Sequence, residues 1–364
     1  MQKEKRQKIF GSTLILITSP FIGEGLSTSS PFLEFIQPIN FILLVMLYGF
    51  GALIVRELTI RWKQNGFALI TLVLLGIAYG CIEEGLYLFS FFNPNWHDLD
   101  NFQGYGRFYG VNWVWTIYLA LFHMVYSIII PIVFAQSAFP TIQEKKWLPN
   151  YLFIPMIIIF ILGGGIWFFY VYKEFQYLPG ITEYLGCLFV TIALIISAWL
   201  IPEKNSKFPS EKSSKQRNQQ IEEINNTNNN YSDEPLSQDN YSPIRHRTNA
   251  FAILHLFVSF IWAVVFFFSA FLFPSYNSPF YIPIIVQLIT TILWLLLLKF
   301  SLIKTRDRVK IILFAMTGAY AFLYLFNIVV GEILSKFVYG FLGFVLVIVI
   351  FLVRRKKQKI DIVK

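Results

Sequence analysis

Apolar residues in this chain come in long, nearly unbroken runs separated by short polar stretches. The two-residue alternation of a membrane barrel strand is absent. Runs of about twenty residues match the length at which a helix crosses a hydrocarbon core of about 30 Å. The pattern predicts ten spans, near 9–27, 38–57, 66–92, 112–136, 150–172, 180–201, 250–273, 279–298, 310–331 and 335–353. The expected fold is therefore all-α, a polytopic helical membrane protein, because a lipid-exposed backbone must satisfy its hydrogen bonds internally. Residues 202–249 interrupt the series, being polar, Asn-rich and almost free of aliphatic side chains. Such a segment cannot bury enough surface to fold alone. It is expected to be a disordered cytoplasmic linker between a six-span membrane domain, 1–201, and a four-span membrane domain, 250–364.

Composition strengthens this picture. The 364 residues are 56% hydrophobic and 14% charged, against roughly 25% charged in a soluble domain. Mean hydropathy is +0.58. A net charge of +9 raises the question of nucleic acid, but the distribution of the charge gives a better answer. With the N-terminus in the cytoplasm, 27 of the 30 basic residues fall on inner segments, and only Arg107, Lys173 and Lys336 fall on outer ones. That asymmetry is the positive-inside signal. It predicts a multi-pass protein of the cell membrane with both termini cytoplasmic, with membrane lipids as partners and no nucleic acid. The basic start of the first span resembles a signal peptide, yet Pro20 and Glu24 interrupt the run and no A-x-A site follows, so a retained helix is expected. Arg56, ending the second span, is expected to snorkel toward water, and Trp62 and Trp147 to join the inner aromatic belt. Cys81 and Cys187 lie in predicted spans without a disulfide or metal pattern. No metal or cofactor is expected.

Candidate chemistry is concentrated in "LGIAYGCIEEGLYLFSFF", residues 75–92. Glu83 and Glu84 sit inside this apolar run. One charged carboxylate near the bilayer centre costs roughly 2.5–3.5 kcal/mol on insertion scales, unless it pairs, takes up a proton or faces water. Adjacent helical residues point about 100° apart, so the two are expected to address different neighbours. Gly76, Gly80 and Glu84 share a face and invite close approach of another helix. The fourth span offers the partner, with Thr116, Ala120, His123 and Ser127 along one stripe. Glu24, near the outer end of the first span, could join them. The expected site is Glu83, Glu84 and His123 in a catalytic role, with Glu24 and Ser127 binding. A purely structural Glu–His tie would use the same geometry. In the outer loop, His97, Asp98 and Asp100 form a weak metal-like pattern that is better read as solvated loop.

A Glu-Glu pair on one span and a histidine on the next resembles the CAAX-processing and bacteriocin-processing membrane proteases. Leu88 stands where that family has an arginine, and Leu119 where it has a phenylalanine. The resemblance implies a glutamate that activates water, helped by intramembrane histidines, acting on a peptide or small-molecule substrate; the second histidine, followed by Asn, has no counterpart in the first six spans. The stretches "LYGFGALIVREL", "AYGCIEEGL" and "FHMVYSI" also make the chain similar to an uncharacterised group of bacterial polytopic membrane proteins. Two other classes remain open at this point. One is a proton- or cation-coupled transporter, since acidic groups in spans serve that role. The other is a non-enzymatic membrane scaffold or immunity protein.

Overall fold

The computed structural model describes residues 2–202, 242–276, 278–305 and 307–363. These residues hold ten helices long and apolar enough to cross a membrane. They are α1 (Gln2–Leu26), α2 (Pro38–Lys63), α3 (Leu69–Tyr87), α4 (Trp113–Ala138), α5 (Asn150–Phe175), α6 (Ile181–Leu200), α7 (Thr248–Ser275), α8 (Tyr281–Lys304), α9 (Arg308–Val330) and α10 (Ile333–Arg354). A small antiparallel ribbon, β1 (Arg107–Phe108) and β2 (Val111–Asn112), closes the connection between α3 and α4. Asn112 then caps α4, its side chain accepting from the Trp115 amide at 3.1 Å and donating to the Phe102 carbonyl at 2.7 Å. That cap sets the level at which every later α4 side chain falls.

α4 is the hub. Its apolar window is 94% buried, as a helix apolar all round should be. It touches α1, α2 and α3 on one side and α7, α8, α9 and α10 on the other. One hydrophobic cluster therefore runs through both groups of spans. By contrast α5 and α6 are only 22% and 11% buried and form the flank. α7 and α8 are tied by crossed indole bonds, Trp262 to Thr291 at 3.1 Å and Trp294 to Ser259 at 2.8 Å, with His255 bonded to Ser301 at 2.8 Å. Both ends of the chain lie on one face of the bundle. There α1 and α10 line a common groove, and Lys145 bonds Glu4 at 2.9 Å. The opposite face carries the 27–37 and 88–112 connections, braced by Tyr339 to the Ser30 carbonyl (3.1 Å) and Arg107 to the Phe92 carbonyl (2.6 Å).

Three expectations change. Most of the expected linker, 203–241, lies outside the described residues. Its last part is already helix, which begins at Ser242. Ser242–Pro243 is a helix-start signal that the polar composition outweighed. Arg56 does not reach water. It is fully buried, paired with Glu57, and donates to the Lys145 carbonyl at 2.7 Å and the Gln143 carbonyl at 3.2 Å. Trp147 leaves the aromatic belt and folds beneath it, 3.8 Å from guanidinium carbon to ring centre, its amide donating to Glu57 at 3.0 Å. A counter-charge next in sequence and a connection folded over both make the protein a better solvent for Arg56 than the interface.

Candidate functional site

Four helices change their winding at one level of the bundle. α1 passes from α to π geometry over Phe21–Leu26, α2 over Val45–Gly49, α3 over Cys81–Tyr87 and α4 over His123–Ile129. A π turn bonds i to i+5, is rare, and occurs frequently at functional sites. Here each of the four carries a polar side chain to the same place: Glu24 from α1, Tyr48 from α2, Glu83 and Glu84 from α3, His123 and Ser127 from α4.

His123 is the centre of the group. Its Nε2 lies 2.9 Å from Glu84 Oε1, and its Nδ1 lies 3.0 Å from Ser127 Oγ and 3.1 Å from Glu83 Oε2. The Ser127 contact has hydrogen-bond geometry. The Glu83 contact has the distance without the direction, and both oxygens of the fully buried Glu83 make no hydrogen bond to the described residues. The expectation that the two glutamates address different neighbours is thus overturned, because both meet His123, on opposite ring nitrogens. It assumed 3.6-residue winding, and the π turns of α3 and α4 re-aim the side chains. A doubly protonated ring can serve both carboxylates at once, whereas a neutral ring serves one.

Close packing holds this group. A Cβ on Gly80 would meet the Ala120 Cα at 3.0 Å, and one on Gly76 the Met124 Cα at 3.0 Å, so the glycine track seats α3 directly on the α4 backbone. Gly23 lets α1 close on side chains of α4 and α2, where a Cβ would meet Ser127 Oγ and the Tyr48 ring at 2.8 Å. The Ser19 hydroxyl bridges the carbonyls of Ser127 (2.6 Å) and Tyr48 (3.0 Å), latching α1, α2 and α4 together.

Glu24 lines the same cavity as Glu83 and Glu84 without hydrogen-bonding to His123. One of its oxygens accepts from the Tyr48 hydroxyl and the other from Ser30 at 2.8 Å. Glu84 also accepts from the Ser90 hydroxyl. Ser90 reaches back because Phe89 adopts a φ of 58°, a left-handed conformation costing about 1–3 kcal/mol for such a residue. It ends α3 in a sharp turn. Ser127 is fully buried, is not among the residues lining the cavity, and has its hydroxyl against the imidazole. Away from the site, His97 bonds Glu174 at 2.8 Å.

Sequence reasoning did not find Tyr48, Ser90, Ser30 or Ser19. Tyr48 stands before Gly49 in an otherwise aliphatic run, which was a usable signal. The serines read as ordinary helix or loop residues.

The cavity has a volume of about 680 Å³ and ends on Glu83, Glu84 and His123. Its walls come from α1–α5, α7, α9 and the 27–35 and 96–98 segments, all toward the face that carries these connections. Glu83, Glu84 and His123 also each offer one ligand atom, all within 4.8 Å of one another. A small cation preferring oxygen and imidazole donors would find three ligands there.

An uncharacterized membrane protein family has a model that matches residues 13–212. The chain belongs to this family. The family region holds the second half of α1, all of α2–α6 and every residue of the Glu–His group. No curated protein and no solved structure matches the chain significantly.

Proposed function

We propose that this membrane protein is a membrane-embedded hydrolase in which Glu83 activates water. One observation carries the reading. Glu83 is fully buried, lines the cavity, lies 3.1 Å from His123 Nδ1 and has both oxygens free of hydrogen bonds to the described residues. Glu84, by comparison, is committed to His123 and Ser90. A base must have a lone pair free to receive a proton, and Glu83 has all of its own free of hydrogen bonds to the described residues, whereas each Glu84 oxygen already accepts one. Glu83 takes the proton of a cavity water as its oxygen bonds to a substrate carbonyl carbon. The bond to the leaving group breaks, and that proton passes to the leaving atom. Glu84 and Ser127 hold the His123 ring, which balances the charge on Glu83. The resemblance of the Glu83–Glu84 pair and His123 to the CAAX-processing and bacteriocin-processing proteases supports the same chemistry and a peptide or other small substrate.

The basic residues support an orientation with both termini in the cytoplasm of a cell membrane, so the cavity faces outward. The test compares a strain lacking the protein with strains carrying the parent, Glu83→Gln or His123→Ala, by mass spectrometry of membrane-protein termini and released fragments. A product made by the parent should fall roughly 100-fold or more in Glu83→Gln. Identical profiles in all strains would sink the reading.

A further inference from the structure

The cavity is lined by six carboxylic residues, Glu24, Glu34, Glu83, Glu84, Asp98 and Glu174, and by no lysine or arginine. Its two histidines are engaged, His97 by Glu174 at 2.8 Å and His123 by Glu84 at 2.9 Å. The partners of Glu24 are neutral hydroxyls. The rest of the wall is aromatic, with a dozen Phe, Tyr and Trp side chains. These run from Tyr48 beside the His123 ring (5.9 Å between centres) out to Trp96 and Tyr170. Carboxylates set among aromatic faces form the environment that binds an organic cation, by charge and by attraction to the ring quadrupoles. The same environment disfavours anions, because its carboxylates outnumber its two histidines and each histidine is already engaged by a carboxylate.

We infer that the site takes a ligand bearing a positive charge, an ammonium or guanidinium, on an apolar body. Two features support this beyond the acidic residues themselves. Glu83, fully buried at the inner end of the cavity, has two oxygens with no hydrogen-bond partner among the described residues. The volume of about 680 Å³ also lies within the range of about 300–1,000 Å³ that encloses small ligands. Ile166 and Tyr170 line the cavity while 46% and 57% exposed on α5. Its edge therefore reaches the flank of the bundle, where an amphiphile partitioned into the membrane arrives apolar body first. The inference rests on the Glu83–His123 pocket being the substrate site of the proposed hydrolase.

The test uses the full chain in nanodiscs of zwitterionic phospholipid and radiolabelled tetraphenylphosphonium, with empty nanodiscs subtracted. Tetraphenylborate, of nearly the same shape and opposite charge, is the competitor that isolates charge. Saturable binding displaced by unlabelled tetraphenylphosphonium and not by tetraphenylborate supports the inference. So does roughly tenfold weaker binding in Glu34→Gln/Glu174→Gln, two exposed or half-exposed mouth positions outside the proposed machinery. No saturable binding, or equal displacement by both ions, overturns it. An apolar hexapeptide with one arginine, compared with its glutamine counterpart, separates the two sources of the charge. Displacement by the arginine peptide and not its glutamine counterpart assigns a peptide ligand, displacement by dodecylammonium and by neither peptide assigns a small amine, and equal displacement by both peptides overturns the inference. The hydrolase reading is scored separately. Cation binding with no product lost in Glu83→Gln leaves the inference standing and removes the hydrolase. A Glu83-dependent product without cation binding does the reverse.

Discussion

At the scale of single residues, two adjacent glutamates with the same chemistry have different surroundings. Glu84 is held by His123 and Ser90, and Glu83 makes no hydrogen bond to the described residues. Replacing Glu83 by the neutral Gln breaks no hydrogen bond to the described residues and relieves the desolvation of a charge, which offsets the lost attraction to His123 at 3.1 Å. Removing a donor from a carboxylate that depends on it costs roughly 1.5–3 kcal/mol. Glu83→Gln should therefore leave the melting temperature unchanged or raise it, whereas Ser90→Ala should lower it. Tryptophan fluorescence during thermal unfolding of the purified protein reads both. A stable Ser90→Ala beside a destabilised Glu83→Gln would show that the division of labour between the two glutamates is wrong.

At the scale of elements, the site depends on how closely α3 can lie on α4. The atoms facing Gly76 and Gly80 are backbone Cα atoms at 3.0 Å from an added Cβ, and backbone cannot swing aside as a flexible side chain would. Gly80→Val should force the two helices apart, costing about 1–3 kcal/mol as overpacking does. It should also weaken the Glu84–His123 contact, which spans the same seam. The expected result is a lower melting temperature together with loss of the Glu83-dependent product. Gly165 offers a control, since an added Cβ there meets nothing within 4 Å. Gly165→Ala should change neither readout, and equal damage from both variants would refute the seam argument.

At the scale of the whole molecule, α4 joins the family region to the four later spans through α7–α10. The ten helices bring both ends of the chain to one face, and the proposed cytoplasmic side is the basic one. A green fluorescent protein fused after Lys364 should fluoresce, and alkaline phosphatase inserted at Gly104, in the connection on the cavity face, should be active. Gly104 has open space around it, so an insertion there perturbs little. The opposite pair of signals would invert the topology and place the cavity mouth in the cytoplasm.

The number of spans, their approximate limits and the membrane setting were legible in the sequence, because hydropathy over about twenty residues is a local quantity that a bilayer reads directly. The pairing of α3 with α4 was legible too, through the four-residue spacing of Gly76, Gly80 and Glu84 and the stripe holding His123 and Ser127. What only the tertiary structure decided is the winding of four helices at one level. A π turn sacrifices good local hydrogen-bond geometry, and contacts between helices compensate for it, so no periodicity within one segment announces it. Those turns bring both glutamates to one imidazole, add Tyr48 from α2 and leave Glu83 without a hydrogen bond to the described residues. The buried Arg56 follows the same logic, since its partners Gln143, Lys145 and Trp147 lie about ninety residues away. The acidic, aromatic wall of the cavity is likewise assembled from helices and connections of both groups of spans, so its sign appears only once they are folded together.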